Sequence, residues 1–348
     1  MARRKRSVKI LEKMKKQKTD QPAANENGFL PPLFLERLEK IIPPEHRERV
    51  MKSFEASRPA VFRLHAAAGP APEEIPALLK QDGLMAEALP WCETAFVLKE
   101  GSVRGLQETE LYHKGLLYIQ GASSLLVPLV LDVRPGQHVL DMAAAPGSKT
   151  TQIALMMKGE GELTANDASR PRFFKLKAAI DAQGFQNVRL IMKDGQFLWK
   201  QFPESFDRVL LDAPCSGEAR FCATSKESLG QWKPGKVKAL AAKQKLLLLS
   251  AFSALKPGGV LVYSTCTFAP EENEEVISWG LGKFGPAAAV EAFEPPLLYM
   301  EGLASWGKRE LDPAVRKTRR ILPDGLTEAF YIAKIRKTDS WTAERKKT

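Results

Sequence analysis

After about residue 110 the chain alternates between short apolar runs and longer helical patterns, and this alternation limits the folds open to it more than any other feature. Strands are expected at 138–142, 162–166, 188–193, 208–212, 259–265 and 330–335, with helices near 149–157, 170–183, 236–255 and 271–283 between them. Strands separated by helices imply parallel pairing, because a parallel return needs a crossover long enough to hold a helix. The expected product is an α/β fold with helices on both faces of the sheet. Ligands of such sheets bind outside the strands' carboxyl ends, where the strand order reverses.

Three groups of residues fall at those ends. Cys215, in Asp212-Ala-Pro-Cys-Ser-Gly217, and Cys266, in Tyr263-Ser-Thr-Cys-Thr267, each follow an apolar run, so both thiols should emerge at one edge of the sheet. A thiolate adds readily to an electron-poor carbon, and two thiols in one crevice suit a reaction that both makes and breaks a covalent adduct. The second group is the loop Asp141-Met-Ala-Ala-Ala-Pro-Gly-Ser-Lys-Thr150, which leaves a strand and opens a helix. Its small residues Ala143, Ala144, Ala145, Pro146, Gly147 and Ser148, followed by Lys149, let a ligand approach the backbone at a helix N-terminus. It matches neither the phosphate-binding Gly-x-x-x-x-Gly-Lys-Ser/Thr loop nor the Gly-x-Gly-x-x-Gly fingerprint. An adenosyl cofactor is the expected ligand. The third group is a pair of acids, Asp167 at the end of the second strand and Asp194 at the end of the third. They are placed to accept from ribose hydroxyls and from an adenine amino group respectively; taken singly, each could instead be a helix N-cap.

These residues carry a resemblance. Asp-Met-Ala-Ala-Ala-Pro-Gly-Ser-Lys-Thr-Thr (141–151), Leu-Leu-Asp-Ala-Pro-Cys-Ser-Gly-Glu (210–218) and Val-Tyr-Ser-Thr-Cys-Thr (262–267), followed by Glu271-Glu-Asn-Glu274, resemble the motifs of the Sun/Nop family of RNA cytosine-C5 methyltransferases. Within this family of RsmB/RsmF-type enzymes, the Ala-Pro-Gly-Ser-Lys-Thr-Thr loop is most similar to the RsmF-type bacterial enzymes that act on 16S ribosomal RNA. The resemblance spans some 220 residues, from Tyr118 to the terminal strand. It implies a Rossmann-like class I methyltransferase domain with a mostly parallel seven-stranded sheet and S-adenosylmethionine as cofactor. It also implies that Ala143 to Lys149, Asp167, Asp194 and Asp212 hold the cofactor or the target base, that Cys266 is the nucleophile, and that Cys215 assists release. RNA is favoured over DNA because related DNA enzymes lack the Thr265-Cys266 partner, and a flipped or single-stranded base is the expected target. Ribosomal RNA or the small subunit is the expected partner, with transfer RNA as the alternative. An assembly factor that relies little on catalysis, and a methyltransferase for DNA or a small molecule, are the competing readings.

The net charge of +11 is concentrated at the start, where residues 1–18 hold nine Lys or Arg and a single Glu. This arm is expected either to seek phosphate or to be a plain solvated terminus; a mitochondrial presequence is a third reading. Lys308, Arg309, Arg316, Lys317, Arg319 and Arg320 surround Trp306 and suit a groove for a polyanion, although a solvated charged face is the more common explanation for such a run taken alone. The expected organisation is a basic arm over 1–28, an N-terminal α+β accessory, RNA-binding domain over 29–110, a catalytic domain over 111–338, and a basic tail over 339–348. No apolar stretch approaches the roughly 20 residues of a membrane span. With four scattered cysteines and four scattered histidines, no metal site and no disulfide framework are expected. A cytoplasmic monomer fits this composition.

Several positions carry milder expectations. Cys92 reads as a small buried apolar residue and Cys222 as a loop residue near the site. Arg172 and Lys175 either touch RNA or are exposed helix charge. Phe62-Arg-Leu-His65 stands where relatives often carry Arg-Val-Asn, and Ala219-Arg-Phe-Cys-Ala-Thr224 replaces an expected Gly-x-x-Arg-Lys, so contacts made there should differ. The chain also ends soon after its last strand, which by the resemblance implies that it lacks the C-terminal extension of longer relatives.

Overall fold

The computed structural model describes residues 28–343 apart from 56–57, 66–67 and 231. The basic arm, through residue 27, and the last five residues of the tail lie outside the described residues. Two helices, α1 (Pro32–Ile41) and α2 (Pro44–Lys52), precede a four-stranded antiparallel sheet of β1 (Val61–Leu64), β2 (Met85–Leu89), β3 (Cys92–Glu100) and β4 (Leu117–Ile119). Helix α3 (Ile75–Gln81) lies between β1 and β2, and α4 (Val103–Glu108) and α5 (Glu110–His113) lie between β3 and β4. The rest of the chain builds the large sheet. Its first members are β5 (His138–Asp141), β6 (Glu162–Asn166) and β7 (Val188–Ile191), joined by α7 (Ser148–Met156) and α8 (Arg170–Gln183) after an entry helix α6 (Ala122–Leu131). Then come β8 (Phe206–Asp212), α9 (Lys226–Leu229), α10 (Pro234–Ala254), β9 (Leu255–Thr265) and α11 (Glu274–Phe284). Short strands β10 (Ala288–Glu291), β11 (Tyr299–Glu301), β12 (Ser305–Trp306), β13 (Arg309–Glu310) and β14 (Arg319–Ile321) lead to β15 (Phe330–Lys337).

The order β14-β15-β9-β8-β5-β6-β7 forms a seven-stranded core, five strands of it parallel, with β15 antiparallel to both of its neighbours. Strands β11 and β10 extend it to nine, pairing with β14 and β15. Side chains alternate between the faces, as a pleated strand requires. Val209, Leu211, Leu261, Tyr263, Tyr331 and Ala333 pack against α10 and α11, whereas Leu210, Val260, Val262, Phe330 and Ile332 pack against α6 and α7. Covering both faces explains why these strands read as unbroken apolar runs. The chain winds outward from β5 to β7, then crosses back to β8, so the order reverses between β5 and β8.

Two expectations need correction. The N-terminal unit does not end at 110: β4 pairs with β1 and completes the small sheet through Ile119. Nor do α1 and α2 pack on that sheet. Phe34 of α1 sits edge-on to Phe54, Phe221 and Trp232, with Phe268 beside it, so the two helices share an aromatic core with the loops that carry Cys215 and Cys266. Part of the basic stretch around Trp306 is internal, and part of it is exposed and paired. Arg319 and Arg320 are buried, and Arg320 makes a bidentate pair with the buried Glu274 at 2.6 and 2.5 Å. Arg309, Arg316 and Arg319 pair with Glu275, Glu301 and Glu294. Arg37 stacks over Trp306.

A buried arginine joins the small sheet to the large one. Arg63 of β1 donates to Gln120 Oε1 (3.2 Å) and to Thr151 Oγ1 on α7 (2.8 Å), and the side chain of Gln120 continues to Gln152. Burial pulls its guanidinium down to about 10. Among the described residues no helix is long and apolar enough to cross a membrane.

If the aromatic cluster is what holds α1 and α2 in place, Phe34→Ala should cost about 3–5 kcal/mol in urea unfolding. A loss below about 1 kcal/mol would mean that other contacts hold the helices.

Candidate active site

The cleft opens at the carboxyl ends of β5, β8 and β9, over the point of strand reversal. It has a volume of about 600 Å³ and is lined by Ala143, Ala144, Ala145, Pro146, Ser148 and Lys149 from the first loop, by Asp212 and Cys215 from the second, and by Cys266. The first loop is held from behind. Ala144 N–H donates to Asn166 O (2.7 Å), and the Asn166 amide donates to Met142 O (3.0 Å). Gly147 has φ +116°, and a Cβ there would meet Ala179 at 3.1 Å and Leu176 at 3.4 Å, so the turn into α7 needs glycine for both conformation and space. Gly147 therefore shapes the loop from behind and is absent from the cleft wall.

Asp212 is clamped. Its Oδ2 accepts from Lys149 Nζ (2.7 Å) and its Oδ1 from Ser264 Oγ (2.7 Å). Lys149 is itself almost fully buried and lies over the Phe330 ring. Beneath them Asp141 accepts from Thr150 Oγ1 (2.7 Å), while its Oδ1 is buried without a partner. Burial pushes the Asp141 carboxyl up to about 7, and the nearby Asp212 adds to the rise against the opposing Thr150 hydrogen bond and Lys149.

The two cysteines stand together, with their sulfurs 3.4 Å apart. Cys215 is shifted well up, by the hydrogen bond it shares with Cys266, by burial, and by Glu272 and Asp212. Cys266 is shifted down by that same bond and by Arg220, against burial and the Asp212 and Glu328 carboxylates. Arg220 acts on both sulfurs, most strongly on Cys266. A second buried acid lies below: Glu272 accepts from Ser216 N–H (2.9 Å) and the Gln244 amide (2.8 Å), and burial raises it to about 7.

The remaining expected residues are placed differently. Asp167 is buried behind the loop, accepting from Ala145 N–H (3.3 Å) and Ser169 N–H (2.9 Å). Asp194 lies one strand further out, in a separate hollow with Phe197 and Lys200, and accepts from Gln196 N–H to cap a short 3-10 helix. The sequence reading had left that capping role open. Arg172 and Lys175 line the cleft, and Arg172 donates to Ala145 O. Cys222 bonds Thr224 in a loop outside the cleft wall, and Cys92 is half-buried against the small sheet. Sequence reasoning assigned no role to Asp141, Arg220, Glu272 or Glu328. Asp141 and Glu272 stood inside quoted motifs, where an acid within an apolar or invariant-looking run is the available signal; Arg220 and Glu328 offered none.

Comparison with known proteins follows from this geometry. Residues 128–336 match the family described as 16S rRNA methyltransferase RsmB/F. The chain is 46% identical over 267 residues to a tRNA (cytosine(49)-C(5))-methyltransferase of Pyrococcus abyssi, covering 76% of this chain and 84% of that protein. It is 38% identical over 321 residues to the ribosomal RNA small subunit methyltransferase F of Vibrio vulnificus, covering 90% of this chain and 65% of that one. The chain thus spans less than two thirds of the ribosomal relative's length. A solved methyltransferase homolog protein from Pyrococcus horikoshii superposes with a TM-score of 0.72 at 31% identity, over 88% of this chain and 100% of that chain.

Asp141 makes a pH prediction. In the unfolded chain it ionises near 3.8, whereas in the fold it keeps its proton to about 7, so stability should fall as pH rises through that window and level off above it. Asp141→Asn should remove roughly one proton's worth of that slope, up to about 4 kcal/mol across the window. The check is urea unfolding at a series of pH values. An unchanged slope would show that Asp141 is not buried as described.

Proposed function

The chain belongs to the RsmB/F family of RNA methyltransferases, and from that premise we propose that it methylates C5 of a cytosine in RNA through a covalent bond between Cys266 Sγ and C6 of the base. The observation that carries the proposal is the pair of thiols 3.4 Å apart, beside Asp212, in the cleft that the small-residue loop also lines.

Methyltransferases of this family use S-adenosylmethionine, which supplies a methyl group on a sulfonium centre. The residues present fit that cation. The unpartnered Asp141 oxygen lies at the cleft floor, and the alanines of the loop leave the backbone open to a ligand. In this reading Ala143 to Lys149 and Asp167 hold the cofactor, with Asp194 at its far end from the neighbouring hollow.

Cytosine C5 is too weak a nucleophile to accept the methyl group unaided. Addition of the Cys266 thiolate at C6, with a proton supplied at N3, makes C5 an enamine-like carbon. The Lys149–Asp212 pair is the proton source that faces the base. Once C5 carries the methyl group, the Cys215 sulfur, in its thiolate form, takes the C5 proton, and the electrons of that C–H bond restore the C5–C6 double bond as Cys266 leaves as a thiolate. Arg172 and Lys175 on the cleft wall supply charge for the RNA backbone. The small N-terminal sheet and the α1–α2 pair serve as the accessory RNA-binding surface.

The proposed substrate is small-subunit ribosomal RNA, after the family as a whole. Transfer RNA is a second reading, favoured by the 46% identity and 84% coverage of the archaeal tRNA enzyme. Bisulfite sequencing of both RNA classes, from cells with and without the gene, should show one cytosine losing protection, and its location decides between them. No change in either class would overturn the reading.

The roles of the two thiols are separable. Cys266→Ala should abolish methyl transfer without trapping RNA, whereas Cys215→Ala should accumulate a protein–RNA adduct stable to denaturant, visible on a denaturing gel. Swapped outcomes would reverse the assignment.

A further inference from the structure

Arg220 is a charged residue at the cleft whose chemistry the proposed mechanism leaves unused. It lines the same wall as Cys215, Cys266 and Glu328, and among the described residues its guanidinium has no hydrogen-bond or ion-pair partner. The backbone fixes it relative to the sulfur. The neighbouring Ala219 N–H donates to Cys266 O at 3.1 Å, and Glu218, one residue earlier, accepts from Thr267 Oγ1 (2.8 Å) and Phe268 N–H (3.0 Å). The guanidinium folds back over Gly217, where a Cβ would come within 2.8 Å of it. A cation without a direct ion pair among the described residues is thus tethered to the strand end that carries the nucleophile, with Glu328 and Asp212 acting on it at longer range. This is also the stretch in which Ala219-Arg-Phe-Cys-Ala replaces an expected Gly-x-x-Arg-Lys, so the charge lies two residues earlier than that pattern would put it.

We infer that Arg220 is a positioning residue that holds the sulfur of Cys266 as a thiolate before RNA enters. The groups facing that sulfur are Cys215, which shares a hydrogen bond with it, the carboxylates of Asp212 and Glu328, which oppose its charge, and Arg220, which favours it. Of these, Arg220 is the only cation. The guanidinium is itself held up by the sulfur charge, the reciprocal of the same interaction. The inference rests on the reading that Cys266 is the nucleophile.

The test is the pH profile of alkylation at Cys266, in which the thiolate displaces iodide from iodoacetamide, with the Cys266 peptide quantified by mass spectrometry. Arg220→Met should move the midpoint up by roughly one unit and slow alkylation at neutral pH about tenfold. Arg220→Lys should stay close to the unsubstituted profile, and Glu328→Gln should move the midpoint down. Circular dichroism establishes that each variant is folded; should Arg220→Met not fold, Arg220→Gln carries the test. An unshifted midpoint in a folded variant that lacks the Arg220 charge would overturn the role of Arg220. Failure of the unsubstituted protein to methylate any RNA would instead overturn the functional reading and leave the alkylation profile as it stands.

Discussion

The cleft's geometry depends on a single buried carboxylate, Glu218. It accepts from Thr267 Oγ1, Phe268 N–H and Trp232 Nε1 (2.8 Å), bolting the loop after β8 to the loop after β9. Burial raises the carboxyl despite these donors, so the site is costly to form and worse to form incompletely. Around it, Ser216 Oγ and Thr267 Oγ1 lie 2.7 Å apart, and Gln244 ties Pro214 O to Glu272. The 3.4 Å approach of the two sulfurs follows from this network, because each cysteine sits within three residues of one of its members. The network also accounts for the roof. Trp232, Phe221 and Phe268 present their rings to Phe34, so the N-terminal helices are seated on the same clasp that sets the cysteines.

Much of this was legible in the sequence, and the physical reason differs by element. The parallel strands could be read because burial on both faces leaves apolar runs that no surface element would carry, and β6 and α8 fall at their expected bounds. Helix α8 announces itself at both ends, with Ser169 and Pro171 at its start and Gly184, at φ +71°, past its end. The convergence of both cysteines and the small-residue loop on one cleft follows from parallel topology alone, since every parallel strand ends on the same side. What escaped is tertiary. Met85–Leu89 reads Met-Ala-Glu-Ala-Leu, a run of good helix formers that becomes a strand only because β3 pairs with it. The arginines near Trp306 look like a solvated or polyanion-seeking run because their partners Glu274, Glu275 and Glu294 lie 25 to 46 residues away. Asp194 marks a strand end as expected, but a strand end alone cannot show whether the side chain turns toward the cleft or caps the next turn.

The arrangement of charge within the cleft follows from the conflicting demands placed on it. Acids lie low: Asp141 is beneath the first loop and Glu272 is beneath Cys215, each raised to about 7 and each with one buried oxygen unpartnered. Glu272 and Asp212 oppose charge on Cys215, and Asp212 and Glu328 oppose it on Cys266. Cations lie on the wall, with Arg172 and Lys175 on the cofactor side and Arg220 on the sulfur side. Lys149 alone sits at depth, where it neutralises Asp212 at 2.7 Å. Asp212 opposes charge on both sulfurs, whereas Glu272 acts on Cys215 and Arg220 acts most strongly on Cys266, so the two thiols are shifted in opposite directions.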